Sequence, residues 1–271
     1  MVFLERYGPW ALVAGASEGV GRVFAETLAE RGLNGILLAR REQALKEVAL
    51  EIERQHGVRT RVVAIDLAAI DASSRIAAEV SDLEIGFFVY CAGGDSNYKS
   101  FLGTPLAVAE SMLQRNCLIP MQLCHHLGSA MVQRQRGAVV IVGSGAGFSG
   151  AANLAAYAAS KAFDMVFAEA LWCELHPQGI DVLGLILGET DTPALRRLRF
   201  ERGLATHPDE PVKSAETPQA VVNDALAHLT HGPTRFANRK MRWGLRFIYP
   251  FSRNFVVSLM GKAQAKAMGK G

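Results

Sequence analysis

The sequence predicts an α/β fold in a single domain, a doubly wound parallel sheet with helices on both faces in a three-layer sandwich. Three observations predict it. Short runs rich in Val, Ile and Leu alternate with longer helical patterns, and a glycine-rich turn follows the first run. The chain has 271 residues and 49% hydrophobic content, enough for one sizeable core.

The apolar runs are "WALVAG" (10–15), "GILLA" (35–39), "RVVAID" (61–66), "GFFVYCAG" (86–93), "GAVVIVGS" (137–144) and "IDVLGLILG" (180–188). Each is too short for a buried helix and reads as a strand covered on both faces. Helical patterns lie between them at about 19–31, 42–55, 71–81, 105–133 and 153–175. Strict alternation means βαβ units, whose right-handed crossovers build a parallel sheet. From Glu189 to about Glu216 the alternation stops in a charged, Pro-containing stretch, too long for an ordinary connection. Residues 189–216 are therefore expected to be a lid or substrate loop. A last helix (218–230) and a short strand (234–237) finish a domain of residues 1–237, followed by a basic extension of residues 238–271.

Composition narrows the function classes. Cys91, Cys117, Cys124 and Cys173 form no CxxC pair, and the start lacks a basic region followed by an apolar run and cleavage site. A reduced, cytoplasmic setting is expected. No uninterrupted apolar stretch approaches the roughly 20 residues that span a bilayer. The net charge of +3 conceals an asymmetry: nine Lys or Arg and no acid follow Gly232, leaving 20 basic and 26 acidic groups before it, a balance of −6. Such a tail suits an anionic membrane surface, nucleic acid or an acidic patch on a partner. Pro250 and Gly244 interrupt any long amphipathic face, which favours packing over membrane contact, and nucleic-acid binding has no motif behind it. His125 and His126 beside Cys124 point in different directions on a helix, with no ligand at i+4, so no metal is expected.

"AGASEGVGR" opens the first helix directly after the first strand. Gly15, Gly19 and Gly21 allow a tight turn and close backbone approach, and the helix N-terminus adds amide donors and a positive dipole. Gly15, Ser17, Glu18, Gly19, Val20 and Gly21 are thus candidates to hold a dinucleotide pyrophosphate, although the spacing Gly-xxx-Gly-x-Gly differs from the general Gly-x-Gly-xx-Gly pattern. At the end of the next strand, "LLARRE" sets Arg40 and Arg41 where an acid would clasp the ribose of NAD. Guanidinium suits a 2′-phosphate, which favours NADP(H) over NAD(H). Against it stand the charge of Glu18 nearby and the alternative that both arginines merely end a solvated strand.

Tyr157 and Lys161 lie four apart on a predicted helix of small residues and so share a face. A phenol ordinarily titrates near pH 10 and serves poorly as a neutral-pH acid or base, but a neighbouring ammonium stabilises the phenolate. Ser144 ends the fifth predicted strand, and the carboxyl ends of parallel strands are where ligands gather. Its hydroxyl would bond a substrate oxygen beside the phenol and polarise a carbonyl.

Taken together these features resemble the short-chain dehydrogenase/reductase family in its compact single-domain, Rossmann-like branch, over roughly residues 8 to 237. "AGASEGVG" is similar to that family's Thr-Gly-xxx-Gly-x-Gly loop, with Ala14 in place of Thr; "YAASK" is its Tyr-xxx-Lys, and Ser144 precedes the tyrosine by thirteen residues. By resemblance, Asn116 in "QRNCLIP" holds Lys161 through a water, and Asp66, with Leu67 after it, lies beside the adenine. Gly188, Thr190 and Thr192 in "LGETDT" form the turn near the nicotinamide, with Leu187 where the family has Pro. "YCAGG" departs from the family's Asn-Asn-Ala-Gly: Tyr90 and Cys91 replace both amides while Ala92 and Gly93 keep the close backbone approach. Cys91 adjoins no basic residue and reads as structural.

The resemblance implies hydride transfer between nicotinamide C4 and a carbonyl or secondary alcohol carbon, with the proton passing through Tyr157. Ser144 would orient the oxygen, Lys161 would hold the nicotinamide ribose, and Asn116 would continue a proton relay. Leu195, Leu198, Phe200 and Leu204, with Phe148, Leu154 and the 94–102 segment, suggest a medium or large apolar substrate, steroid-like, aromatic or fatty acyl. The same residues would equally pack the loop onto the core. A 3-oxoacyl thioester reductase and a non-catalytic NADP(H)-sensing protein are the alternatives. A homodimer or homotetramer is expected by resemblance.

Overall fold

The computed structural model describes residues 2–94, 98–238 and 241–244. Seven strands form one parallel sheet in the order β3-β2-β1-β4-β5-β6-β7. They are β1 Trp10–Ala14, β2 Asn34–Ala39, β3 Thr60–Ala64, β4 Ile85–Tyr90, β5 Gly137–Ser144, β6 Ile180–Leu187 and β7 Thr234–Phe236. The helices are α1 Phe3–Tyr7, α2 Gly19–Glu30, α3 Glu42–His56, α4 Ala72–Glu79, α5 Leu106–Leu113, α6 Ile119–Arg134, α7 Ala155–Leu175, α8 Pro193–Glu201 and α9 Pro218–Ala227. The winding reverses after β3, which leaves a crevice at the carboxyl ends of β1 and β4, the place where open α/β sheets bind ligands.

Alternate strand residues feed two apolar layers, because successive side chains point to opposite faces. Val13, Leu37, Phe87 and Val140 pack against α2, α3 and α9 through Phe24, Leu45 and Val222. Leu12, Leu38, Phe88 and Ile141 pack against α4 and α6 through Ile76, Leu123 and Met131. Fully burying one such side chain is worth about 1.5–3 kcal/mol. At the opposite edge from the crevice, the buried Asp181 of β6 accepts from the Tyr7 hydroxyl at 2.6 Å and pairs with Arg6 at 2.7 Å, tying α1 under the sheet.

Beyond α1, a five-residue helix that the apolar pattern did not mark, two segments differ from expectation. The helix expected over 105–133 is two helices joined by a π turn at Gln114–Leu118. Pro120 has no N–H to give the Asn116 carbonyl, so the ladder widens and the Ile119 N–H bonds to the Gln114 carbonyl. Within the expected loop 189–216, α8 forms: Pro193 occupies its first turn and the Thr192 hydroxyl accepts from the Leu195 N–H at 3.2 Å. Proline here starts a helix rather than breaking one. The segment closes on itself at its base, where the Glu216 N–H meets the Glu189 carbonyl at 3.1 Å and the Asp191 N–H meets the Glu216 carbonyl at 2.8 Å.

Most of the basic extension, from residue 245 onward with residues 239–240, lies outside the described residues, as do residues 95–97. Its first turn does touch the domain: Arg242 donates to the Phe236 carbonyl at 2.6 Å, and Met241 lies against Gly145 and Gly188. No described helix is long and apolar enough to cross a membrane.

Candidate active site

The glycine turn sits in the crevice, drawn onto the end of β2 by the Gly15 and Ala16 N–H groups, which donate to the Leu38 carbonyl at 2.8 and 3.2 Å. A Cβ on Gly21 would lie 2.2 Å from the Gly15 carbonyl oxygen, so only glycine lets the helix come this close to the strand. Glu18 is the N-cap of α2, yet its side chain makes no capping bond, and the first-turn amides stay open to an anion. Tight turn, open amides and dipole together fit a dinucleotide pyrophosphate.

The Glu18 carboxylate turns instead toward two guanidiniums, Arg41 at 2.8 Å and Arg197 of α8 at 2.6 Å. Burial pushes its carboxyl up, but the hydrogen bonds from Arg197 and Arg41 outweigh this and hold it below the usual range. One of the two arginines expected at a 2′-phosphate is therefore engaged with an acid of the phosphate turn, while also lying 3.4 Å from the Ser17 hydroxyl. Arg40 is exposed beside it. Past β3, Asp66 is exposed and accepts from the Ala68 N–H at 3.0 Å, with Leu67 buried next to it. Thr192, whose hydroxyl caps α8, also approaches Gly19, so α8 begins against the glycine turn. Thr190 is buried and bonds the Gly188 carbonyl at 3.3 Å.

The Tyr-Lys pair lies on α7, which packs against the end of β5. Lys161 is 5% exposed; its ammonium donates to the Val142 carbonyl at 3.1 Å and to the Asp164 carboxylate at 2.8 Å. The same nitrogen is 6.0 Å from the centroid of the Tyr157 ring. Ser144 follows two residues after Val142, and its hydroxyl accepts from the Ala146 N–H at 3.2 Å. The turn after Ser144 seats on α7: a Cβ on Gly147 would lie 2.6 Å from the Lys161 backbone. Ser144, Tyr157 and Lys161 are thus brought to one end of the sheet.

Asn116 is fully buried in the π turn and joins α7 to the end of β4. Its amide donates to the Ser160 hydroxyl at 2.9 Å and to the Gly93 carbonyl at 3.4 Å, and its oxygen accepts from Arg115 at 3.2 Å. The carboxamide is thereby committed next to Lys161 in sequence rather than to Lys161 itself. Tyr90, in place of the family amide, donates from its hydroxyl to the Arg115 carbonyl and so supports the same turn.

A cleft of about 220 Å³ opens beside Tyr157, lined largely by apolar side chains including Phe101, Leu106, Met112 and Leu154, with Lys99 among them. Leu154 lines this cleft, as do Lys99, Phe101 and Leu102 of the 94–102 segment. Phe148 does not line this cleft and packs on Phe236 with ring centroids 5.4 Å apart. Leu195, Leu198, Phe200 and Leu204 do not line it either, and none of the four is buried. Sequence reading missed two features. An acid three residues after Lys161 was the available sign of Asp164; the bridge from Arg197 to Glu18, 179 residues apart, left none.

Residues 9–203 match the short chain dehydrogenase family. The chain is 34% identical over 234 residues to a 7beta-hydroxysteroid dehydrogenase of Mediterraneibacter gnavus, covering 84% of this chain and 86% of that protein. It is 32% identical over 233 residues to a very-long-chain 3-oxoacyl-CoA reductase of Pyricularia oryzae, covering 83% of this chain and 67% of that protein. A solved structure from work on 7beta-hydroxysteroid dehydrogenase stereoselectivity superposes with a TM-score of 0.88 at 31% identity, covering 96% of this chain and all of that one.

Proposed function

Since the chain belongs to the short chain dehydrogenase family and is an oxidoreductase, we propose that it uses NADP(H) to interconvert a carbonyl and a secondary alcohol on a medium or large apolar, steroid-like substrate. The observation that carries this reading is Tyr157, which lines an apolar cleft while its helix neighbour Lys161 lies against the strand that ends in Ser144. Likeness to a 7beta-hydroxysteroid dehydrogenase supports the substrate class.

A nicotinamide held in this crevice would supply or accept the hydride. In the reductive direction the Ser144 hydroxyl holds the carbonyl oxygen, and the Tyr157 hydroxyl gives it a proton. The Lys161 ammonium favours the phenolate left behind, and its remaining N–H would hold the nicotinamide ribose. Asn116 fixes α7 through Ser160 and, by family resemblance, continues the proton path from Lys161 through a water. Gly15, Ser17, Gly19, Val20 and Gly21 would hold the pyrophosphate, Arg40 and Arg41 the 2′-phosphate, and Asp66 and Leu67 the adenine. Glu18 sets the charge of that turn, Ala92 and Gly93 would allow the close backbone approach of the cofactor, and Gly188, Thr190 and Thr192 would hold the nicotinamide end.

Tyr157→Phe is expected to bind NADPH as the parent does and to lose about 10²- to 10⁴-fold in ketone reduction. Near-parental turnover would overturn the assignment. The 3-oxoacyl thioester reading is favoured by the likeness to a very-long-chain 3-oxoacyl-CoA reductase and would appear as a preference for thioester-linked substrates in the same panel. NADPH binding without turnover of any substrate would mark a sensing protein instead. Leu106, Leu113, Leu118 and Val166 leave apolar side chains exposed along α5, the π turn and α7, which supports a homodimer or homotetramer through these helices. Four free cysteines accord with a reduced, cytoplasmic setting.

A further inference from the structure

The ammonium of Lys161 does not stand alone. Asp164, one turn further along α7, is 2% exposed and meets it at 2.8 Å, inside the layer between α7 and the sheet. Its other oxygen, Oδ1, is buried and has no hydrogen-bond partner among the described residues. A buried carboxylate with one oxygen unsatisfied costs stability and packs poorly for a structural role. Its carboxylate raises Lys161, which burial alone would lower; burial in turn raises Asp164 itself, with the ammonium pulling it back. The raised ammonium is the firmer of the two, because two of its three donors have acceptors while half of the carboxylate has no donor.

We propose that Asp164 is a positioning residue of the redox site: its carboxylate anchors the Lys161 ammonium and offsets part of its charge, which sets the pH at which the Tyr157–Lys161 pair releases a proton. The inference rests on the redox reading of that pair. The other titratable groups facing it do not compete. They are Tyr90 on β4, Cys91 just past it, Cys117 in the π turn and Cys124 on α6. Burial raises all four, Cys91 to about 12 and Cys117 to about 11, so they stay neutral where the enzyme works. Arg115, beside Asn116, brings a guanidinium rather than a carboxylate. Among the described residues facing Lys161, Asp164 is then the standing negative charge.

The sign follows directly. Removing a negative charge eases proton loss from both phenol and ammonium, so the titration of the pair moves toward acid whichever group leads. A unit charge within two helical turns, at an effective dielectric near 20, shifts it by roughly one pH unit.

Two readouts on the full chain test this, the pH profile of ketone reduction with NADPH and an ultraviolet difference titration of tyrosinate. The tyrosinate step of Tyr157 is isolated by subtracting the matching Tyr157→Phe variant. Asp164→Asn is expected to move both the rate inflection and the tyrosinate step about one unit toward acid, and Asp164→Glu to return both to within about 0.3 unit of the parent. If Asp164→Asn does not fold, Asp164→Ser is read in the same way. An inflection and a step that both stay at the parental pH would overturn the proposal. A shifted step with no turnover of any substrate would instead sink the redox reading and leave the coupling of Asp164 to the pair standing.

Discussion

Replacing Glu18 by Gln should tighten NADPH and leave NADH nearly unchanged. In the present geometry the Glu18 carboxylate holds Arg41 at 2.8 Å and Arg197 at 2.6 Å, so the guanidinium that would meet a 2′-phosphate first has to leave an acid. Glu18 is 26% and Arg41 57% exposed, which puts the pair among partly solvated ion pairs worth about 0.2–1 kcal/mol. Removing the charge also ends the repulsion between Glu18 and the incoming phosphate, a further contribution of about 1 kcal/mol through screened solvent. The sum, about 1–2 kcal/mol, corresponds to a roughly 5- to 30-fold lower Kd for NADPH. Fluorescence titration with both cofactors, at low and high salt, measures it. The gain should shrink as salt rises, because the interactions are electrostatic. Equal changes for NADH and NADPH, or no change for either, would refute the idea that this acid competes with the 2′-phosphate for Arg41.

Two further outcomes concern stability. Gly93 has φ +131°, and a Cβ there would lie 2.6 Å from the Asn116 side-chain oxygen; Gly93→Ala should cost about 1–3 kcal/mol and lower Tm by several degrees, and an unchanged Tm would contradict the buried tie between β4 and the π turn. Asp224 accepts from Arg235 at 2.6 and 2.8 Å and from Arg242 at 3.3 Å; burial pushes its carboxyl up, but these guanidiniums bring it below the ordinary aspartate value of 3.8. A depressed folded-state value contributes stability that is present above pH 3.8 and lost as pH falls through the lowered value. Asp224→Asn should therefore lower Tm at neutral pH by an amount that narrows below about pH 4, and a gap independent of pH would count against the ion pairs.

Much of the fold was legible because its signals are local and periodic. Six short apolar runs separated by helical patterns leave little but a parallel doubly wound sheet, and the glycine turn marks the crevice. Tyr157, Lys161 and Ser144 were legible because helical spacing and strand ends translate directly into shared space. Three features were less open to such reading. The break at Gln114–Leu118 depends on one missing donor at Pro120, which a periodic pattern averages away. Pro193 reads equally as a breaker or as a first-turn residue, and only the Thr192 cap decides it. The pairing of Glu18 with Arg197 joins residues with no sequence relation at all, since it is set by where α8 folds back over the crevice.

The excursion from Glu189 to Glu216 leaves β6 and comes back to its own starting point through two backbone hydrogen bonds. Such a stitched neck insulates the sheet from whatever hangs beyond it. Residues beyond Thr192 and before the returning stitch are open to exchange, insertion or deletion with little disturbance to strand register, so new ligand preferences can be acquired there while the redox machinery is inherited intact.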